Sequence, residues 1–235
     1  KPLTFLDSHL KHGNGLVGTT PKLPRRRHPA WEHDAMARPK NQAERRIQLI
    51  AAATRAVLEH GSTGARLADI AQNAGLTSAS VLYYYPDIRE LFTAVFERGS
   101  AEYCLRRERY VAEAATAAEA LGACVRSGVP RPGVTEETSR LLYELAPIVL
   151  RNEAAAARNN TFIARQAALY EKVLRDGQES GDFRLAGPAE TLARGFVALE
   201  DGYGMDVLTG AAPADEVEQA LLLHARVMTG TSGIR

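Results

Sequence analysis

The sequence predicts an all-α protein, with a three-helix helix-turn-helix head followed by a larger helical domain. Two observations carry this. Ala is abundant while runs of β-branched residues are scarce, which favours helix throughout. Apolar residues also recur at i, i+3, i+4 and i+7 in segment after segment, with Gly or Pro at the breaks, as at Gly61, Gly75, Pro86 and Gly181.

Composition sets the limits. At 235 residues the chain is long enough for a substantial core, and 45% hydrophobic content is ordinary for a globular protein. No stretch approaches ~20 apolar residues, so no membrane partner is expected. Cys104 and Cys124 are the two cysteines, which fits a reducing cytoplasm and excludes a disulfide framework or a cysteine zinc site. The six histidines are scattered, so neither a metal nor a cofactor is expected. No nucleophile–base pair stands out, and an enzyme is not expected. Net charge is +1, but residues 1–46 hold ten Lys/Arg against four Asp/Glu and the remainder is net acidic.

Residues 1–35 read as a disordered leader or an added segment. They mix Gly, Pro, His and Arg without apolar period, and Met36 stands where a natural start fits. The head is expected over 36–86 and the helical domain over 87–235. The first helix runs from about Gln42 to His60, with Ile47, Ile50, Ala51, Thr54 and Leu58 on one stripe. In the second, Leu67, Ile70, Ala71 and Ala74 make the stripe, and Gly75 sits where a chain leaving a helix takes positive φ. Thr77 stands as an N-cap, and Pro86 limits the third helix to barely two turns. With Val81 and Tyr85 turned inward, Ser78, Ser80, Tyr83 and Tyr84 fall on the outer side. Their hydroxyls suit phosphates and base edges, and such a short second helix can enter a DNA major groove.

The run Gly75-Leu-Thr-Ser-Ala-Ser-Val-Leu-Tyr-Tyr-Tyr-Pro-Asp87, followed by Ile-Arg-Glu-Leu-Phe92, resembles the recognition region of the TetR family of transcriptional regulators. The likeness covers residues 41–98 closely and the rest by architecture. It implies double-stranded DNA as partner, a homodimer, and an unidentified small-molecule effector. Repression is the usual outcome; activation or ligand-independent binding is the alternative, and non-specific architectural binding a weaker one. The implied DNA-contact residues are Lys40, Arg45, Arg66, Thr77, Ser78, Ser80, Tyr83 and Tyr84, with Arg46 a further phosphate contact. Arg66, Ala68 and Ile88 depart from frequent family residues at contact positions. Residues 41–98 carry six basic and six acidic residues, so a shallow salt dependence is expected.

Asp87 caps the next helix, with Leu91, Phe92, Val95 and Phe96 on it and a break or bend expected at Gly99. One helix is then expected over 100–126, a second from Thr135 to about Arg151 kinked by Pro147, and a third over 153–180. A cavity is expected near the kink, lined by Tyr103, Arg107, Tyr143, Glu144, Phe162, Arg165, Tyr170 and Glu200. The last two helices read as a dimer interface through Leu192, Phe196, Leu199, Tyr203, Val217, Leu221, His224 and Met228. Gly195, Gly202 and Gly204 each cost helix stability that close backbone approach would offset. The segment Ala198-Leu-Glu-Asp-Gly-Tyr-Gly-Met-Asp-Val-Leu208 resembles the branch of the family that includes choline-responsive repressors.

Overall fold

Apolar residues at every third or fourth position give each helix a face to bury, and the computed structural model is built on contacts between those faces. It describes the backbone of residues 30–234 and the side chains of 41–234. Most of the expected leader, with Arg25, Arg26 and Arg27, lies outside the described residues, as do the side chains of Met36, Arg38 and Lys40. Among the described residues there are ten helices and no strand. None is long and apolar enough to cross a membrane.

Helix α1 (Ala30–Gly64) is interrupted at Gly61, whose φ of 70° only glycine adopts readily. Its buried face is Leu49, Ala52, Ala53, Ala56 and Val57. The sequence reading put the stripe one step round the helix. Ile47 is 55% exposed, and Ile50, Ala51, Thr54 and Leu58 flank the core. Alanine carries little hydrophobic weight by itself, so an Ala-rich contact face is easily overlooked beside isoleucines.

Helices α2 (Leu67–Ala74) and α3 (Ser78–Tyr84) form the expected hairpin around Gly75, with φ 64° and ψ 35°. Asp69 caps α2 by accepting from the Arg66 backbone N–H at 2.8 Å, while the Arg66 side chain makes no cap bond. The carbonyls closing α2 are held from α1: Gln48 Nε2 donates to Ala74 O at 2.7 Å and an Arg55 nitrogen to Asn73 O at 2.6 Å. Val81 and Tyr85 are buried, anchoring α3.

Helix α4 (Ile88–Ala112) starts on Asp87, whose carboxylate accepts from Arg89 N at 2.8 Å and is held below its ordinary pKa mainly by the Arg89 side chain. It passes through Gly99 unbroken, because Gly99 is buried against Leu141 and Leu142: a Cβ there would meet Leu141 Cδ2 at 3.4 Å and Leu142 Cδ2 at 3.5 Å. The break comes later. Helix α5 (Ala117–Gly128) begins at Thr116, whose hydroxyl accepts from Glu119 N at 3.2 Å while Glu119 accepts from Ala115 N at 2.9 Å. That Thr-x-x-Glu box splits the single helix expected over 100–126.

A second division replaces the expected kink. Helix α6 (Val134–Glu144) stops before α7 (Ala146–Val149), in which Pro147 occupies the first turn, where its missing N–H costs nothing. Helix α8 (Glu153–Ser180) matches its expected bounds, capped by Asn152 and ended by Gly181 at φ 83°. Helices α9 (Ala189–Thr209) and α10 (Ala214–Thr229) complete the chain.

Two cores result. One joins α5, α8, α9 and α10 around Leu121, Tyr170, Leu174, Phe196 and Leu221. The other joins α1–α4 and includes Leu141 and Leu145 from α6 and its end. The corrected α1 face is directly measurable. Leu49→Ala should destabilise the protein by about 2–5 kcal/mol, and Ile47→Ala should stay within about 0.5 kcal/mol, as read from urea unfolding.

Candidate functional site

On the head, the Thr77 hydroxyl accepts from Ser80 N at 3.2 Å and lies 2.9 Å from Ser80 Oγ, so both hydroxyls organise the first turn of α3. Tyr83 is 72% exposed and meets Tyr84 edge-on at 5.0 Å between ring centres. Tyr84 is half-buried and packs on the head core, so it serves the fold as well as the outer face. Ser78 is half-buried and Thr77 exposed. Leu82 and Ala79, which the sequence reading left out, are exposed on the same short helix. Leu82 lies at i+4 from Ser78, the spacing that places it on that face. Arg66 is exposed at the start of α2. An Arg45 nitrogen donates to Gln48 Oε1 at 2.6 Å, and the Arg46 guanidinium lies 5.0 Å from the Tyr85 ring centre.

The helical domain is centred on a buried ion pair. Arg107 of α4 is 1% exposed and donates through both terminal nitrogens to Glu200 of α9, at 2.8 and 2.9 Å. It also donates to Gln166 Oε1 at 2.9 Å and Cys124 O at 3.0 Å. The Tyr170 hydroxyl donates to Glu200 Oε1 at 2.5 Å. Burial pushes the Glu200 carboxyl up, against the downward pull of Arg107. Burial works against the Arg107 charge, yet attraction to Glu200 leaves its pKa well above the ordinary value. The Tyr103 hydroxyl is pushed up to about 12 by burial. Gly128 leaves room for the carboxylate, since a Cβ there would fall 2.0 Å from Glu200 Oε1.

Beside this pair is a cavity of about 280 Å³, near the lower end of small-molecule sites. Phe96, Tyr103, Tyr143 and Phe162 supply aromatic wall, with Leu142, Ala146, Val149 and Ile163 between them. Four of the expected lining residues are there: Tyr103, Tyr143, Phe162 and Glu200. Arg107 and Tyr170 bond to Glu200 but do not line the space. Arg165 and Glu144 stand outside it. Arg165 makes a two-point pair with Glu108 at 2.6 and 2.7 Å, and Glu144 lies against Gly61. Helical phase explains the miss: Phe162, Gln166 and Tyr170 follow i, i+4 and i+8, so Gln166 and not Arg165 shares their side. Asp201 was missed as well. Asp201 is exposed, and partial desolvation by the wall behind it raises its carboxyl above the usual aspartate value, with Arg107 and Arg194 opposing. The Tyr143 hydroxyl donates to Asp201 O at 2.6 Å.

Three of the expected interface residues are already spent inside the chain. Phe196 stacks on Tyr170 with ring centres 4.8 Å apart, and Val217 and Leu221 are buried in the same core. Leu192, Leu199 and Tyr203 are half-buried against that core, Met228 is half-buried, and His224 meets Phe196 edge-on at 5.1 Å. The stripe of large residues faces inward because they cover the most apolar area. The outward faces carry smaller or isolated apolar groups: Gly195, Ala198, Gly202 and Met205 on α9, Leu223 and Val227 on α10. A Cβ at Gly195 or Gly202 would meet nothing within 4 Å in this chain, whereas one at Gly204 would lie 2.8 Å from Tyr143 Oη.

Residues 49–95 match the sequence profile of bacterial regulatory proteins of the tetR family, and residues 117–229 that of the BetI-type transcriptional repressor C-terminal region. The chain belongs to the TetR family of transcriptional regulators. A transcriptional regulator from Saccharomonospora viridis, solved in complex with choline, is 25% identical over 79% of this chain and 96% of its own, with a TM-score of 0.72. A TetR regulator from Haloarcula marismortui is 20% identical over 80% and 99%, with a TM-score of 0.71. The regulator FadR from Bacillus subtilis, solved with stearoyl-CoA, is 17% identical over 80% and 99%, with a TM-score of 0.58. No curated protein matches the chain in sequence. Membership accounts for the helix-turn-helix without an enzymatic site.

The ion pair gives this regulator a measurable weak point. Arg107→Ala leaves the buried Glu200 without its partner and should cost about 3–5 kcal/mol in denaturant unfolding. Arg165→Ala, which breaks a half-exposed pair, should cost no more than about 1 kcal/mol.

Proposed function

We propose that this TetR-family regulator acts in the cytoplasm as a homodimeric repressor. It binds a palindromic operator through residues 41–98 and responds to a small molecule in the helical-domain cavity. The observation that carries the reading is the shared wall between cavity and head. Leu142 lines the cavity while the adjacent Leu141 is buried in the head core. A ligand that favours one arrangement of α6 therefore biases the head through its differential affinity for the two arrangements. Choline in the Saccharomonospora viridis relative supports a small-molecule effector for this chain too.

The dimer surface assigned here is the outward face of α9 and α10. Leu223 is 57% and Val227 61% exposed on α10, beside the open glycines of α9. Glycine on such a face permits the close backbone approach that a two-fold helix bundle requires. A short recognition helix reads few base pairs, and pairing doubles the reading across half-sites about one helical turn apart.

Selection of bound sequences from a random DNA pool tests the reading, and a palindrome is the expected product. Tyr83→Ala should weaken binding to that palindrome by roughly tenfold or more while leaving unfolding unchanged. Normal binding by Tyr83→Ala would move the recognition surface elsewhere. Leu223→Asp with Val227→Asp should give a monomer in sedimentation and lose the palindrome preference. A dimer that survives both changes refutes the assigned face.

A further inference from the structure

A base is read in the major groove mainly by side chains that bond it twice, Arg or Lys on guanine and Asn or Gln on adenine. Helix α3 offers none of these. Its sequence is Ser-Ala-Ser-Val-Leu-Tyr-Tyr, with no amide and no charge. Arginines of the head are committed elsewhere: Arg45 donates to Gln48 and Arg55 to Asn73 O. Arg89, at the start of α4, donates to Asp87 at 2.9 Å, and Arg66 stands at the far end of α2 from the turn. The Thr77 and Ser80 hydroxyls are turned on each other at 2.9 Å.

What α3 presents is largely apolar. Ala79, Leu82 and Tyr83 follow i, i+3 and i+4, so they share one face, and all three are exposed. Val81 and Tyr85 hold the opposite side in the core. Leu82 is 41% exposed. A lone leucine on a surface needs no explanation. This one stands on the face turned away from the core, the face that a recognition helix lays in the groove. Among the bases, thymine shows an apolar group there, its C5 methyl. The polar edges of guanine, adenine and cytosine would lose water against Leu82 and gain no hydrogen bond.

We propose that α3 reads thymine, with the Ala79 and Leu82 side chains receiving the C5 methyl groups of thymines in each half-site. This rests on the operator reading given above and names what that operator must contain. Residues three apart on a helix have Cβ atoms about 5–6 Å apart. Base pairs are spaced about 3.4 Å apart along the duplex, so the two methyls belong to base pairs one or two steps apart. Neither side chain can bond the O4 edge of thymine, so the methyl alone makes the distinction.

The test uses the full chain and the sequence selected from the random pool, with single thymines replaced by uracil at one fixed salt concentration. The exchange removes the C5 methyl, keeps the base pair and leaves the protein untouched. Two thymines per half-site should be sensitive, each exchange weakening binding about fourfold, the worth of one buried methyl. Cytosine at either position should weaken binding further, and 5-methylcytosine should recover most of that loss. Leu82→Ala should bind thymine and uracil alike at one of the two positions. Leu82→Met should keep the difference, and both variants should unfold like the parent. Uracil tolerated at every thymine overturns the proposal. So does a Leu82→Ala protein that keeps the whole uracil penalty, or 5-methylcytosine bound no better than cytosine. The two readings fail separately. A palindrome indifferent to uracil leaves the operator standing and removes the thymine reading. A uracil-sensitive motif without two-fold symmetry removes the dimeric operator and keeps the thymine reading.

Discussion

The helical domain depends on one ion pair. Arg107 and Glu200 are almost wholly removed from water, and a set of further bonds offsets their desolvation, with Arg107 Nε left unpartnered among the described residues. Cys124 O, Gln166 Oε1 and the Tyr170 hydroxyl complete the set, which draws α4, α5, α8 and α9 to a single point. Such a cluster is satisfied in one arrangement only. It therefore fixes the relative placement of four helices more narrowly than apolar packing does. The glycine at position 128 and the stack of Phe196 on Tyr170 are consequences of fitting that cluster into a core.

The head is organised by a different economy of bonds. Its hairpin is too short to stabilise itself, since brief helices are marginal in water. Gln48 and Arg55 from α1 take the carbonyls at the end of α2, and an alanine face lets α1 lie close enough to do so. The recognition helix is held from beneath by Val81 and Tyr85, leaving Tyr83 free of structural duty.

Much of this was legible in the residues. Gly75, Thr77 and Pro86 punctuate the hairpin with local chemistry that tertiary contacts do not override, and Asn152 to Gly181 bracket α8 for the same reason. The misses fall where packing decides. Gly99 was read as a break, but its small size serves a helix crossing. The Thr116–Glu119 box, four residues of local chemistry inside a long Ala-rich segment, divides what the apolar period alone reads as one helix. In the cavity, charge drew attention to Arg165 and Glu144, while helical phase selects Gln166 in place of the first and keeps only the expected Tyr143 beside the second. At the last two helices, the largest side chains were assigned outward although their area drives them into the chain's own core.

Leu141 and Leu142 make the partition between cavity and head a single turn of helix thick. The two halves of the molecule are thus not separable parts joined by a tether. A chimaera that grafts this head onto another relative's helical domain must carry Leu141 and Leu145 with it, or leave holes in the head. By the same geometry, a substitution that enlarges the cavity at Leu142 alters the surface on which α4 rests at Gly99. Sensing and reading are written into adjacent letters of one helix, so neither can be re-specified without editing the other.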